Sequence, residues 1–282
     1  MKRSGILERF DDKMVSGKTW DIVTFVCCVT AFLAYHVWYF LLRGTKYLPG
    51  SETINLWTAS LKSRGLWAHV MMSSGKEGIV AVQTIRNMII SVSILAAAEA
   101  ALASQMLNLL TDPARLARIQ EYAESDPISN GDSFLSPSTK VALALGAVFL
   151  SFLIFAQCAR IAVHLGFLFR VVPENLNSSI PLRDATIVLT QRVSLYFALG
   201  LRFLYAFVPL AFYMTLGSLA LVISTGILLI ALLLLDVIPS GPSEALLRQT
   251  EQDIAESSRL EEELLDGGSH KASSAATLLH IS

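Results

Sequence analysis

Four apolar stretches, each long enough to cross a bilayer, constrain this chain more than any other feature. A hydrocarbon core of about 30 Å takes roughly 20 helical residues. The segments at about 22–42, 79–102, 141–169 and 203–235 all reach that length. A soluble core helix rarely stays apolar on every side over such a distance. With 53% hydrophobic residues and a mean hydropathy of +0.54, the composition favours membrane insertion over a soluble helical bundle. The expected fold is an all-α, multi-pass integral membrane protein with four transmembrane helices plus two interfacial amphipathic helices.

The same reasoning divides the chain. Residues 1–20 form a polar N-terminal tail, 21–238 the four-span membrane domain, and 239–282 an acidic, partly disordered C-terminal tail with one helical pattern at Glu244 to Leu265. The first span is expected to stay as an anchor. Its apolar part is too long for a cleaved leader, and Glu8, Asp11 and Asp12 precede it.

The region from Ala185 to Leu235 is too long for one crossing. Pro181 suits a first helical turn, so Leu182 to Leu199, with Arg183, Asp184, Thr190, Gln191 and Arg192, is expected to be a separate helix lying at the interface. Gly200 and Pro209 mark the places for a bend. A re-entrant pair of half-helices is the competing reading. The other interfacial helix is expected within Ser51 to Met72, where Trp57 and Trp67 suit the headgroup zone. The loop from Thr111 to Thr139 reads as solvated, with a short helix over Pro113 to Ala123.

Four spans put both termini on one side of the membrane, the tail side, and the first and third loops on the other, the loop side. Polar residues inside the spans then gather toward the loop side. Tyr35 and His36 end span one, and Gln83, Arg86 and Asn87 open span two. Gln157, Arg160 and His164 end span three, and Arg202 opens span four. Gln83, Arg86 and Asn87 share a helix face by their i, i+3, i+4 spacing. Gln157, Arg160 and His164 share one at i, i+3, i+7. An arginine at this depth is costly unless it is paired, hydrated or able to snorkel. Snorkelling competes, but amides and histidine beside each arginine favour an inward-facing belt. Only Glu52, Glu77, Glu174 and Asp184 of the 23 acids fall on the loop side. The belt therefore lacks a carboxylate, and a bound anion or lipid phosphate is expected to supply the negative charge. Lys and Arg density beside the spans points to cytoplasmic loops and outward termini. Asn177-Ser178-Ser179 matches a glycosylation acceptor, usable only in the opposite orientation.

Glu99 lies in an alanine run, about 20 Å along the helix from Arg86. It is either a proton or cation site or an acid near the tail-side interface with a polar neighbour. Cys27, Cys28 and Cys158 read as small packing residues. No ligand spacing suggests a metal, no cofactor is implied, and no nucleophile motif suggests a catalytic residue. Nucleic-acid binding has no support at a pI near 6.5. The expected partners are membrane lipids, with a second copy or another membrane protein meeting the spans or the acidic tail.

The run Gly78-Ile79-Val80-Ala81-Val82-Gln83-Thr84-Ile85-Arg86-Asn87 resembles the signature of a plant and bacterial membrane family catalogued as domain of unknown function five-nine-nine. Ala34 to Trp38, Ser63 to Trp67, Arg160 to His164 and Ala198 to Tyr205 are similar to it in the same order. The resemblance implies a four-span fold over about residues 20–236 and no substrate, reaction or cofactor. It places the belt residues on the matching motifs. Three functions remain in competition. A membrane scaffold or lipid-headgroup-binding protein is the leading reading. A subunit of an anion or metabolite transporter or channel is the alternative. An enzyme at the membrane surface, or haem held by His36 and His164, stands behind both.

Overall fold

The computed structural model describes residues 4–42, 53–73, 78–129, 131–171, 180–239 and Gln252. The Glu244 to Leu265 pattern, apart from Gln252, and the Asn177 acceptor fall outside them. The chain divides into two compact units, residues 1–49 with 55–237 and residues 50–54 with 238–282. The first holds α1 (Ser4–Val37, continued as a π-turn over Trp38–Leu42), α2 (Leu56–Ser73) and α3 (Gly78–Thr111). It also holds α4 (Pro113–Ala123), α5 (Pro137–Val171), α6 (Ile180–Leu216) and α7 (Ser218–Asp236). Two three-residue strands, β1 (Thr53–Asn55) and β2 (Val237–Pro239), pair with each other.

Among the described residues five helices, not four, are long and apolar enough to cross a membrane: Gly17–Phe40, Gly78–Thr111, Pro137–Phe169, Leu182–Leu216 and Ser218–Asp236. The chain is thus a multi-pass membrane protein. The difference from the sequence reading lies at 203–235, expected as one span. The structure breaks it at Gly217, whose φ is +86°. An L side chain there would adopt the left-handed conformation at a cost, and its Cβ would come within 2.7 Å of the Asp126 side chain. Gly217 N–H donates to the Tyr213 carbonyl at 3.2 Å, the closure expected of a glycine just past a helix C-terminus. Asp126, from the loop after α4, accepts from Ser218 N–H at 3.0 Å and Leu219 N–H at 3.1 Å. It thereby satisfies amides that the first turn of α7 leaves open.

The second correction follows from the first. Leu182 to Leu199 is not a separate helix, because α6 runs unbroken for 37 residues through Gly200 and Pro209. Gly200 serves close approach rather than a hinge: a Cβ there would meet the Phe155 ring at 2.7 Å. The short loop helix forms as expected. Asp112 accepts from Ala114 N–H at 3.0 Å and Arg115 N–H at 3.2 Å, and Pro113 opens the first turn.

α3 and α5 pack antiparallel, with Gly78 facing the Phe169 carbonyl and Ile85 facing Gly166. Their shared core joins Ala81, Ile85 and Val92 to Phe155, Cys158, Ala162, Leu165 and Phe169, and takes in Ala68 and Met72 of α2 and Val193 of α6. On the other flank of α6, Tyr35, Tyr39 and Leu232 form a second core between α1 and α7. α6 is the wall between the two. Asp21 bonds to Ser218 while Tyr35 bonds to Asp236, so α1 and α7 run parallel, and the bundle begins and ends at opposite ends. Lipid tails are as apolar as leucine, so apolar burial drives little helix association in a bilayer. Close packing and interhelical hydrogen bonds carry that role.

Candidate functional site: an outward cationic face and three buried polar clusters

The belt expected from the sequence divides in two. On α3 the core-facing positions are Ala81, Ile85 and Val92, whereas Gln83, Arg86 and Asn87 are exposed. At about 100° per residue, these three lie on the far side of the helix from the core. On α5 Phe155, Cys158, Ala162 and Leu165 are buried and Gln157, Arg160 and His164 are exposed. Each trio does share a face, but the faces turn outward, not into the bundle. The antiparallel register sets Arg86 at the level of His164. Inside the bundle the small and branched side chains of α3 mesh with Phe155, Leu165 and Phe169. A guanidinium there would need a carboxylate, and α3 and α5 supply none at that level.

Arg202 does turn inward. It is 9% exposed, its Nη2 donates to Asp236 Oδ1 at 2.7 Å, and its guanidinium lies 4.5 Å from the centroid of the Tyr39 ring. Tyr35 donates its hydroxyl to Asp236 Oδ2. The expectation that no acid serves the belt fails here. Counting 203–235 as one span assigned Asp236 to the far side, and the Gly217 hairpin brings it back beside Arg202. His36 packs edge-on against Tyr35. Its Nδ1 lies 2.7 Å from the Phe32 carbonyl, which can only accept, so Nδ1 carries the proton in the assigned geometry. Nε2 is buried without a partner among the described residues. His164 is exposed on α5, so the two histidines expected as alternative haem ligands do not share a site. Among the described residues no group of three His, Cys, Asp or Glu side chains is placed to hold a metal.

Glu99, 1% exposed, points between α3, α5 and α6. The Ser151 hydroxyl of α5 bonds to Glu99 Oε1 and lies 2.7 Å from the Gly200 carbonyl of α6. Glu99 Oε2 is buried with no partner among the described residues.

A third cluster, at the Gly217 end, was missed by sequence reasoning. Asp21 is fully buried and accepts from Ser133 Oγ at 2.7 Å, Phe134 N–H at 2.9 Å, Tyr213 Oη at 3.1 Å and Ser218 Oγ. One carboxylate thus joins α1, α6, α7 and the loop before α5. Lys140, 4% exposed, sits 4.1 Å from the centroid of the Tyr213 ring and lines a cavity of about 230 Å³ with Gln120, Ser133 and Ser136. Asp126 adds its two α7 amides and the Ser129 hydroxyl at 2.7 Å. Burial opposes ionisation of Asp126. The hydrogen bonds from Ser129 Oγ and from the amides of Ser218, Leu219 and Ser129 outweigh it and hold the carboxyl below its ordinary range. The available signal was Gly217-Ser218 read as a helix stop and start, which leaves the first amides of α7 open for Asp126 to cap.

Apart from Asp21, the residues that carry these sites fall within a family match. The family model described as a protein of unknown function, DUF599, matches residues 23–240. No curated protein and no solved structure matches the chain.

Proposed function

We propose, for a chain that belongs to the DUF599 family and takes no activity from that membership, that it is a membrane scaffold whose outward faces on α3 and on α5 bind the phosphate of anionic lipid headgroups. The observation that carries this reading is the exposure of Arg86 and Arg160 on two packed helices, at a depth where headgroups lie.

Depth follows from helix rise. α7 has the highest mean hydropathy of the five candidate spans, 2.7, and at 1.5 Å per residue it is ~28 Å long, close to the hydrocarbon thickness. Its ends then mark the faces of the apolar slab. Distances from the Gly217 end can be counted along the neighbouring helices. Glu99 stands ~18 Å from Thr111 and Arg202 ~21 Å from Leu216, both within the slab. Arg160 stands ~35 Å from Pro137 and Arg86 ~38 Å from Thr111, just beyond it. Gln83, Asn87, Gln157 and His164 fall at roughly 30–42 Å on the same scale. α2, with Trp57 and Trp67, packs at this level, and so does the polar first half of α6, including Arg192.

A guanidinium beside a low-dielectric surface gains most from a charge-assisted, two-pronged bond to phosphate. Amides and an imidazole beside it supply further donors. Basic side chains at this level attract anionic lipid. An outward face suits a lipid better than a solute path through a single bundle, which supports the scaffold over the transport subunit. The test is native mass spectrometry of the delipidated protein, titrated in parallel with phosphatidylglycerol, phosphatidylcholine and inorganic phosphate. Retention of phosphatidylglycerol alone is expected, with at least a five-fold loss in Arg86→Gln/Arg160→Gln. Equal retention of both lipids, or no loss in the variant, would overturn the proposal. Free phosphate binding that depends on the arginines, with ion flux in liposomes, would favour the transport subunit.

A further inference from the structure

Glu99 is a buried carboxyl that the lipid-binding face does not use, and its hydrogen bonds can be counted. Three oxygens stand in a row: Glu99 Oε1, Ser151 Oγ and the Gly200 carbonyl. Both gaps are at or inside hydrogen-bond distance, so each holds a proton; two bare oxygens at such separation would repel. A serine hydroxyl carries one proton, and a backbone carbonyl carries none. Ser151 can fill only one gap. The carbonyl cannot donate, so the Ser151 proton lies toward Gly200, and the proton between Ser151 and Glu99 comes from Glu99.

We infer that Glu99, Ser151 and Gly200 form a proton-binding site inside the membrane, with the Glu99 carboxyl as the group that holds the proton. The surroundings are consistent with a neutral acid. From α5 the polar group facing Glu99 is the Ser151 hydroxyl, and from α6 it is the Gly200 carbonyl. No cation among the described residues forms an ion pair with Glu99, and the nearest residues on its own helix are alanines. Oε2 is buried and unpartnered among the described residues, which a carboxylate oxygen in a low-dielectric core tolerates far less than a neutral carbonyl oxygen does. Arg202 sits only two residues from Gly200, but α6 directs it to the opposite flank, where Asp236 engages it.

With the proton bound, one chain of hydrogen bonds runs from α3 through α5 to α6. Removing it leaves Ser151 to satisfy either Glu99 or Gly200 and opens the other gap. Proton release therefore loosens the α3–α5–α6 contact at the narrow point where Phe155 rests on Gly200.

The experiment is infrared difference spectroscopy of the full chain in lipid nanodiscs, wild type minus Glu99→Gln, at neutral pH. A protonated carboxylic acid carbonyl band is expected, shifted in Ser151→Ala because the acceptor of the acid proton is gone. Glu99→Gln keeps a donor and an acceptor in place and does not ionise on unfolding, so its melting temperature is expected to equal or exceed that of wild type at neutral pH. It is also expected to lose the alkaline fall in melting temperature that wild type shows. Carboxylate bands in place of the acid band would overturn the inference. So would a Glu99→Gln variant that melts well below wild type at neutral pH, or a wild-type melting temperature that rises with added sodium, which would mark a cation at Oε2.

Discussion

Removing Asp236 should strand a guanidinium inside the bundle. Arg202 keeps one hydrogen bond to Asp236, at 2.7 Å, and its Nη1 is already without a partner among the described residues. The side chains of the pair are only 10% and 6% exposed. Breaking a buried pair by removing one member costs about 3–5 kcal/mol, because the remaining charge stays desolvated. Asp236→Leu also takes the acceptor from the Tyr35 hydroxyl, worth about 1 kcal/mol more. Arg202→Met is expected to cost a similar amount, since it strands Asp236 and removes the contact with Tyr39. The double variant Arg202→Met/Asp236→Leu should cost less than the sum by about 2–3 kcal/mol, the range seen for coupled neighbours. Thermal unfolding in nanodiscs measures all three, with each single change lowering the melting temperature by on the order of 10 °C. Additive costs, or an Asp236→Leu variant within about 1 kcal/mol of wild type, would mean that the two side chains do not meet and that α7 does not fold back along α6.

Two further outcomes follow from the Gly217 end. Gly217→Val is expected to destabilise by about 1–3 kcal/mol, from a left-handed backbone forced on a branched residue, with the collision against Asp126 adding to it. Gly226→Val, where a Cβ would meet nothing within 4 Å, is the control and should lose much less. Asp126 sets an acid limb. Its carboxyl is held below the ordinary value, so its contribution is complete above about pH 4 and is lost as pH falls through the folded-state value. Asp126→Asn should lower stability at neutral pH and flatten that limb, measured as melting temperature against pH.

How much of this was legible in the sequence depends on what each signal reports. Apolar length located the first three candidate spans but could not divide 203–235, and it left Leu182 to Leu199 apart from the helix that continues it. A single glycine between Leu216 and Ser218 changes mean hydropathy little, while its φ of +86° reverses the chain. One missed reversal then spread the error: reading 203–235 as a single span put Asp236 at the opposite end from Arg202, so Arg202 looked unpaired. The helix at Pro113–Ala123 was legible because Asp112 and Pro113 act locally, on amides within one turn. Spacing correctly grouped Gln83 with Arg86 and Asn87, and Gln157 with Arg160 and His164. It could not tell inward from outward, because in a membrane both sides of a helix are apolar and contrast marks no core. Asp21 escaped notice as a single acid at the edge of the first apolar stretch, since its partners Ser133, Tyr213 and Ser218 lie more than a hundred residues away.

The reversal at Gly217 underlies the division of 203–235, the Arg202–Asp236 pair and the depth scale on which the proposed headgroup contacts of Arg86 and Arg160 rest. Substituted-cysteine labelling tests it directly. In a background without Cys27, Cys28 and Cys158, Leu216→Cys and Ser138→Cys are treated in sealed vesicles with a membrane-impermeant maleimide. Leu216 is 51% exposed beside the turn, and Ser138 is exposed in the first turn of α5. The expected result is labelling of both from the same side of the membrane. A Leu216→Cys protein that stays unlabelled from either side while Ser138→Cys reacts would place residue 216 in the middle of a single long span, and would contradict the five-helix arrangement.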